Sequence, residues 1–307
     1  MKIAVVGAGA MGSLFGGLLS KVADVTLVDP WQEHVEAINR EGLRLTQVDG
    51  KELVIRVPAT TSPTDVKGAD LAIIFVKSYQ TEMAAQMAAQ LLAPHGLALT
   101  LQNGVGNREV LARVLGESHA WQGVTAHGAT LLGPGRVRHA GSGPTHLELR
   151  PDIATAAQEV AQLFNQADLE THLSTDLDTL VWGKLVINVG INALTAILRV
   201  PNGILADVEP TQGLVEAVVR EALQVAHAKG IRLPYEDPVA RVIEVAKATA
   251  SNRSSMLQDV MRGSRTEIDV INGAIVREAR TLGLQAPYNQ ALVALVQAIE
   301  ATHAYRV

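Results

Sequence analysis

Cysteine is absent from the 307-residue chain, which excludes disulfides, thiolate catalysis and cysteine-ligated zinc. The nine histidines are scattered, with no H-E-x-x-H spacing, so no metal site is expected. Basic runs and aromatic–basic stripes are missing and the net charge is −5, which argues against a nucleic-acid partner. No unbroken apolar segment reaches the roughly 18 residues of a membrane helix, so no membrane span is expected. Lys2 and the apolar run behind it could open a signal peptide, but glycines break that run at once and a complete αβ pattern follows. With no targeting segment, the cytoplasm is the expected location. Internal repeats and low-complexity stretches are lacking too. What remains is the composition of a soluble enzyme, on a chain long enough for two domains with full cores.

Residues 2–6, Lys-Ile-Ala-Val-Val, read as a short buried strand, followed by Gly7-Ala8-Gly9-Ala10-Met11-Gly12 and an apolar helix from Ser13 to Ser20. This is G-x-G-x-x-G directly after a strand and opening a helix, the pattern of a dinucleotide site. Gly7 permits the tight turn, Gly9 admits the pyrophosphate to the backbone, and Gly12 lets helix and strand pack closely. The free N–H groups of the helix start supply the anion site. A second strand, Val25–Val28, ends in Asp29-Pro30. An acidic residue roughly 20 positions beyond the glycines is where adenosine ribose hydroxyls are held in NAD-type sites. A carboxylate there repels a 2′-phosphate, so Asp29 leans toward NADH; its competing role is to cap the helix near Trp31–Arg40. Two more apolar strands, Leu71–Val76 and Leu97–Leu101, lead into Lys77-Ser78-Tyr79-Gln80 and Gln102-Asn103-Gly104-Val105-Gly106. Both polar sets fall at strand C-termini, the edge where open α/β sheets bind ligands. Taken singly, Lys77 could be a surface charge and Asn103-Gly104 a plain turn.

Strands from His119 to Thr130 and Arg136 to Arg150, joined by Gly133-Pro134-Gly135, close the part in which strands and helices alternate. From about Ile153 the pattern is helical: Ala154–Ala167, Thr179–Leu198, Pro210–Lys229, Pro238–Ala250, Ser255–Arg262, Glu267–Leu282 and Asn289–His303. The expected organisation is an α/β dinucleotide-binding domain over residues 1–170 and an all-α substrate and catalytic domain over residues 171–307. The apolar helical half could support a homodimer.

Within VWGKLVINVGINALTAIL, Lys184, Asn188 and Asn192 interrupt an apolar stretch. Their spacing puts them on one helix face, drifting about 80° over roughly 12 Å of axis. Two readings fit. Lys184 snorkels while the amides satisfy helix ends, or a cation and two amides line a cleft for an anionic, carbonyl-bearing ligand; the dinucleotide motif favours the second. Pro201-Asn202-Gly203 follows as a turn. Ser255 to Gln258, after Asn252-Arg253-Ser254, fits a capping box, and such a helix start can also receive a carboxylate. Glu267 opens a later helix, where dipole effects alone favour an acid.

The ordered set GAGAMG, VKSYQ, LQNGVG, WGKLVINVGINALTAI, PNG, NRSSMLQD and TEIDVING resembles the 2-dehydropantoate 2-reductase (ketopantoate reductase) family from residue 1 to about 290. The resemblance implies a Rossmann-type N-terminal domain, an all-α C-terminal domain, and reduction of 2-dehydropantoate to (R)-pantoate with NADPH on the coenzyme A pathway. It makes Lys184 the catalytic lysine and Glu267 the acid near lysine and cofactor. It makes Asn103, Asn188, Asn192, Asn202 and Ser255 substrate contacts, and it assigns Gly7 through Gly12 (Ala8, Gly9, Ala10 and Met11 included), Lys77, Asn103 and Gly128 to the cofactor. Members that use NADPH tend to carry an arginine near the end of the second strand, where this chain has Asp29-Pro30-Trp31. Two alternatives stay open: a reductase of another 2-oxo acid or related ketone, and a non-catalytic NAD(P)-sensing protein.

Overall fold

The computed structural model describes residues 1–305. In chain order its first elements are β1 (Lys2–Val6), α1 (Ala10–Leu19), β2 (Asp24–Val28), α2 (Gln32–Glu41), β3 (Leu43–Thr46), β4 (Glu52–Ile55), β5 (Ala59–Thr60), β6 (Ala69–Ile74), α3 (Thr81–Leu91) and β7 (Leu92–Thr100). Next come α4 (Asn107–Leu115), β8 (Ala120–Thr125), β9 (Gly128–Gly133), β10 (Arg136–Gly141), β11 (Thr145–Glu148), α5 (Ala154–Gln166) and β12 (Thr171–Ser174). The remainder is helical: α6 (Leu177–Leu198), α7 (Ile204–Asp207), α8 (Glu209–Ala228), α9 (Pro238–Ala248), α10 (Ser255–Arg262), α11 (Asn272–Thr281) and α12 (Pro287–Ala301). Two compact units result: residues 1–102 with 106–177, and residues 103–105 with 178 onward.

The first unit is built on an eight-stranded sheet of order β12-β11-β8-β7-β6-β1-β2-β5. Strand β1 pairs in parallel with both β2 and β6, so the chain leaves β1 toward one edge and returns to its other side. The loop after β1 therefore lies at the point where strand order reverses, the place ligands occupy in such sheets. Side chains alternate between faces with the strand period. Ile3 and Val5 join Leu27, Ile73 and Leu99 on the face covered by Phe15 of α1 and Phe164 of α5. Ala4 and Val6 join Ala72, Ile74 and Ala98 on the face covered by Ala84 and Ala88 of α3 and Leu111 of α4. Helices on both faces explain why these strands are apolar throughout. A second, four-stranded sheet runs β4-β3-β10-β9.

The sequence pattern does not separate these two sheets. The expected strand from His119 to Thr130 divides into β8 and β9 in different sheets, with a turn at Ala126-His127 where the His127 amide donates to Thr125 Oγ1 at 3.2 Å. Strands β3, β4 and β5 were not legible, being short and amphipathic, and β12 extends the sheet past residue 170 by pairing with β11.

The second unit has its own core. Leu185, Val186, Val189 and Leu194 of α6 pack with Val215, Val218 and Val219 of α8, Val242 of α9, Ile275 of α11 and Val296 of α12. A buried polar network fixes α6 within it. Asn272 Nδ2 donates to the Val189 carbonyl at 3.2 Å and to Asn289 Oδ1 at 2.9 Å. Asn289 donates in turn to Glu221, whose carboxylate also accepts the first amides of α12 from Tyr288 and Asn289, a favourable place for negative charge. By length and composition α6 is the one helix among the described residues able to cross a membrane, yet 72% of its apolar window is buried inside the protein. It is filled by core contacts.

The continuous helix expected over Glu267–Leu282 is broken. A 3-10 turn spans Ile268–Val270, and Ile271 (φ −104°, ψ −94°) precedes α11. The carbonyls that would continue the helix are used elsewhere: Asp269 accepts from Arg277 Nη1 at 2.6 Å, and Val270 accepts from the Val105 amide at 3.4 Å.

Candidate active site

In the first unit, the turn after β1 passes through Gly7 at φ +91°, and a Cβ there would stand 2.7 Å from the Val76 nitrogen. A Cβ at Gly12 would overlap the Gly7 carbonyl oxygen, whereas one at Gly9 would meet nothing within 4 Å. The first and third glycines are demanded by the fold; the second guards empty space. That space lies at the N-terminus of α1, whose N-cap is Gly9 with no side-chain cap, leaving N–H groups and dipole for a phosphate. The motif therefore fits a dinucleotide pyrophosphate.

Asp29 braces this loop. Its Oδ2 accepts the Ala8 amide at 2.8 Å and its Oδ1 the Trp31 amide at 2.9 Å. The helix-cap role considered for Asp29 is not found, since Trp31 is the N-cap of α2 and no side chain caps it. Each carboxylate oxygen keeps a lone pair for a further donor, so ribose hydroxyls remain compatible with the brace.

Lys77 stands partly exposed ahead of the 3-10 turn Ser78–Gln80. Gln102, singled out only as part of a polar strand-end set, joins the two strand-end loops. Its Nε2 donates to the Val76 carbonyl at 2.7 Å and to Thr81 Oγ1 at 2.9 Å, while its Oε1 accepts from Thr100 Oγ1 at 2.9 Å. No periodicity signals such a strut; only the pairing of β6 with β7 brings its partners together. Gly128 opens β9 beside His127. There a Cβ would make only ordinary contact, 3.7 Å from the Gly141 nitrogen.

In the second unit, Lys184, Asn188 and Asn192 share one face of α6. Lys184 and Asn188 keep some accessible surface, and Asn192 is 6% exposed. Among the described residues neither amide side chain has a hydrogen-bond partner, so the helix-end role for them is not met. Glu267 is 7% exposed. Its turn is fixed by Thr266, whose amide donates to Glu300 Oε1 at 2.8 Å and whose Oγ1 accepts the Ile268 amide at 3.2 Å. Burial lowers the Lys184 ammonium to about 8, net of an opposing upward pull from the Glu267 carboxylate. The pair is a lysine able to give up a proton near neutral pH and a buried carboxylate that favours its charged form.

Asn103-Gly104-Val105 belongs with this second unit. Gly104 (φ +82°) would place a Cβ 2.5 Å from the Val270 oxygen, so a glycine is needed for the Asn103 loop to reach the Glu267 turn. Asn202 is a tether: its Nδ2 donates to Thr249 Oγ1 at 2.9 Å and its amide to the Asn252 carbonyl at 3.0 Å, while its buried Oδ1 has no partner. The capping box expected at Ser255 and Gln258 is displaced by one residue. Ser254 is the N-cap of α10, accepting the Leu257 amide at 3.1 Å, and Gln258 Nε2 donates to the Arg253 carbonyl. Ser255 itself is exposed. The buried hydroxyls of Ser254 and Thr195 lie 2.7 Å apart, tying the start of α10 to the face of α6 that carries Asn192.

Two family models cover most of the chain: "Ketopantoate reductase PanE/ApbA" over residues 3–152 and its C-terminal counterpart over residues 176–300. The chain belongs to the ketopantoate reductase family. It is similar to the 2-dehydropantoate 2-reductase of Halobacterium salinarum, with 39% identity over 97% of this chain and 98% of that one. Among solved structures it is similar to a PanE/ApbA family ketopantoate reductase from Ralstonia eutropha JMP134, with TM-score 0.91 and 37% identity over 99% of this chain and all of that one. It is also similar to D-mandelate dehydrogenase solved with NADH and anilino(oxo)acetate, with TM-score 0.90 and 32% identity over 98% of this chain and 99% of that one.

The glycine geometry separates binding from folding. Gly12→Ala forces the first helix off its strand and is expected to lower the melting temperature by several degrees, equivalent to about 1–3 kcal/mol for an overpacked contact. Gly9→Ala is expected to leave the melting temperature unchanged and to weaken NADH and NADPH, read by calorimetric titration of both variants. Unaltered cofactor affinity in Gly9→Ala would remove this loop from the binding site.

Proposed function

We propose that this chain catalyses the NAD(P)H-dependent reduction of 2-dehydropantoate to (R)-pantoate, in the cytoplasm, on the route to pantothenate and coenzyme A. The observation that carries the reading is Lys184: a desolvated ammonium beside the buried Glu267 carboxylate, on the same helix face as two amides with no protein partner. The names of the similar proteins support the substrate.

A nicotinamide held by the first unit would supply hydride to the ketone carbon. As it does so, negative charge grows on the ketone oxygen, and Lys184 Nζ stabilises that charge and delivers a proton to it. Glu267 holds the ammonium in place and keeps it protonated further into the neutral range. Asn188 and Asn192 bond carboxylate and hydroxyl oxygens of the substrate without adding charge, and Asn103 completes the set from its glycine-dependent loop. Asn202 and Ser255, as the resemblance implies, contribute at the α10 end, where Ser254 and the Asn202 tether shape the approach. Residues 7–12, Asp29, Lys77 and Gly128 would hold the dinucleotide.

A second reading has specific support. Similarity to D-mandelate dehydrogenase with NADH, together with Asp29 at the end of β2, favours a reductase of a bulkier 2-oxo acid. Initial rates with 2-dehydropantoate and a panel of 2-oxo acids, each with NADH and NADPH in parallel, decide between the two. The first reading requires the highest kcat/KM for 2-dehydropantoate.

Lys184→Ala is expected to lower kcat by about 10² or more, the usual scale for a general acid that also stabilises the oxyanion. Activity close to wild type would take Lys184 out of the mechanism. Asn188→Ala or Asn192→Ala is expected to raise KM for the oxo acid by about 10-fold with the melting point held, as for a lost buried hydrogen bond.

The pH dependence has a definite sign. The acid is protonated below its pKa, so kcat/KM is expected to be flat at low pH and to fall as pH rises through about 8. Glu267 raises that pKa, so Glu267→Gln is expected to move the falling limb to lower pH. A limb that stayed in place, or moved up, would mean that another group is titrating.

A further inference from the structure

The end of β2 carries more than a carboxylate. Trp31 is 37% exposed, whereas Trp121 and Trp182 are 0% and 5% exposed. Its ring stacks on that of His34, with centroids 5.0 Å apart and planes 7° from parallel. His34 is fully buried and backs one face of the indole.

The backing ring is fixed at both nitrogens. The Gly135 amide donates to His34 Nδ1 at 3.0 Å, so Nε2 carries the proton and faces Ser13 Oγ at 3.1 Å. Ser13 Oγ then donates to the Ala8 carbonyl at 2.7 Å. Burial lowers the His34 pKa, against opposing pulls from Asp29 and the Ala8 backbone, so the imidazole stays neutral. The Trp31 backbone hangs from Asp29 Oδ1, and Asp29 Oδ2 holds the Ala8 amide. Ala8 thus links the phosphate loop to both the carboxylate and the aromatic pair.

Such an arrangement has a ligand chemistry of its own. A pre-ordered aromatic face takes a flat base with little loss of side-chain freedom. A carboxylate beside it accepts ribose hydroxyls and opposes a phosphate. Neither the indole nor the neutral imidazole supplies a cation to offset that opposition.

We propose that Trp31, stacked on His34 and tied to Asp29, is the adenine platform of the cofactor site and selects a dinucleotide with a free 2′-hydroxyl. The proposal rests on the dinucleotide reading above, but it needs no turnover to test.

Full-length protein is titrated with ADP-ribose and with 2′-phospho-ADP-ribose by calorimetry, with tryptophan emission followed in parallel. Wild type is expected to bind ADP-ribose at least about 10-fold more tightly than the phosphorylated form, with quenching, as like-charge opposition predicts. Trp31→Leu keeps apolar bulk without a flat face and is expected to lose the quench and about 10-fold in ADP-ribose affinity, the scale of base–aromatic stacking. Trp31→Phe is expected to recover most of that affinity, which a merely structural role would not require. Equal ADP-ribose affinity in wild type and Trp31→Leu overturns the platform while leaving dinucleotide binding intact. Preference for the 2′-phosphate overturns the selectivity, and binding of neither nucleotide overturns both this proposal and the dinucleotide reading.

Discussion

The desolvation of one lysine sets the terms for the helical unit. Moving the ammonium from 10.5 to about 8 disfavours the charged form by about 3 kcal/mol, and that figure already includes the attraction of Glu267. Glu267 lies on a turn that interrupts helix formation and is fixed by the Thr266 amide donating to Glu300. A continuous α-helix through 267–282 would consume the Val270 carbonyl that receives the Asn103 loop through Val105. The polar network of Asn272, Asn289 and Glu221 then keeps α6 in register while its other face stays apolar.

The α/β unit solves a different problem, that of keeping a backbone loop open. Phosphate recognition by N–H groups requires that nothing fill the space above them, so rigidity must come from beneath. Ser13, His34 and Asp29 supply it, each bonding the backbone at Ala8 or a group that does. Gln102 performs the equivalent task at the neighbouring strand ends, where its amide uses both donor and acceptor positions. These four residues are polar, brace the loops from beneath, and leave the loops' own outward groups available.

Legibility followed the length scale of the signal. The glycine motif, the strands around it and the long helices were readable because local spacing encodes them; Gly12 against Gly7 is a contact between near neighbours in the chain. Lys184, Asn188 and Asn192 were readable for the same reason, as one face of one helix. Glu267 was not, because an acid at a helix start is common, and the turn that makes it different depends on Val105 far away in sequence. The misplaced cap at Ser255 shows the limit within a motif. Ser254 and Ser255 are equally good capping residues, and the buried hydroxyl of Thr195 on α6 accompanies the first of them. Residues that act by bracing, such as His34 and Gln102, leave no local pattern at all.

The placement of chemistry also explains why the family was easier to read than the substrate. In the proposed function a lysine and two amides would address a ketone, a carboxylate and a hydroxyl, which every 2-oxo acid and its reduced product share. Any side chain beyond those atoms meets other residues, and selectivity among apolar groups is worth only about 1–3 kcal/mol per methylene. Near-equal structural similarity to a ketopantoate reductase and to D-mandelate dehydrogenase accords with that proposal, in which one helix face would handle the reacting groups. Substrate choice is then left to the apolar surface around it. Cofactor choice stands apart from both, because Asp29 and its neighbours make no part of that face and belong to a unit with its own core.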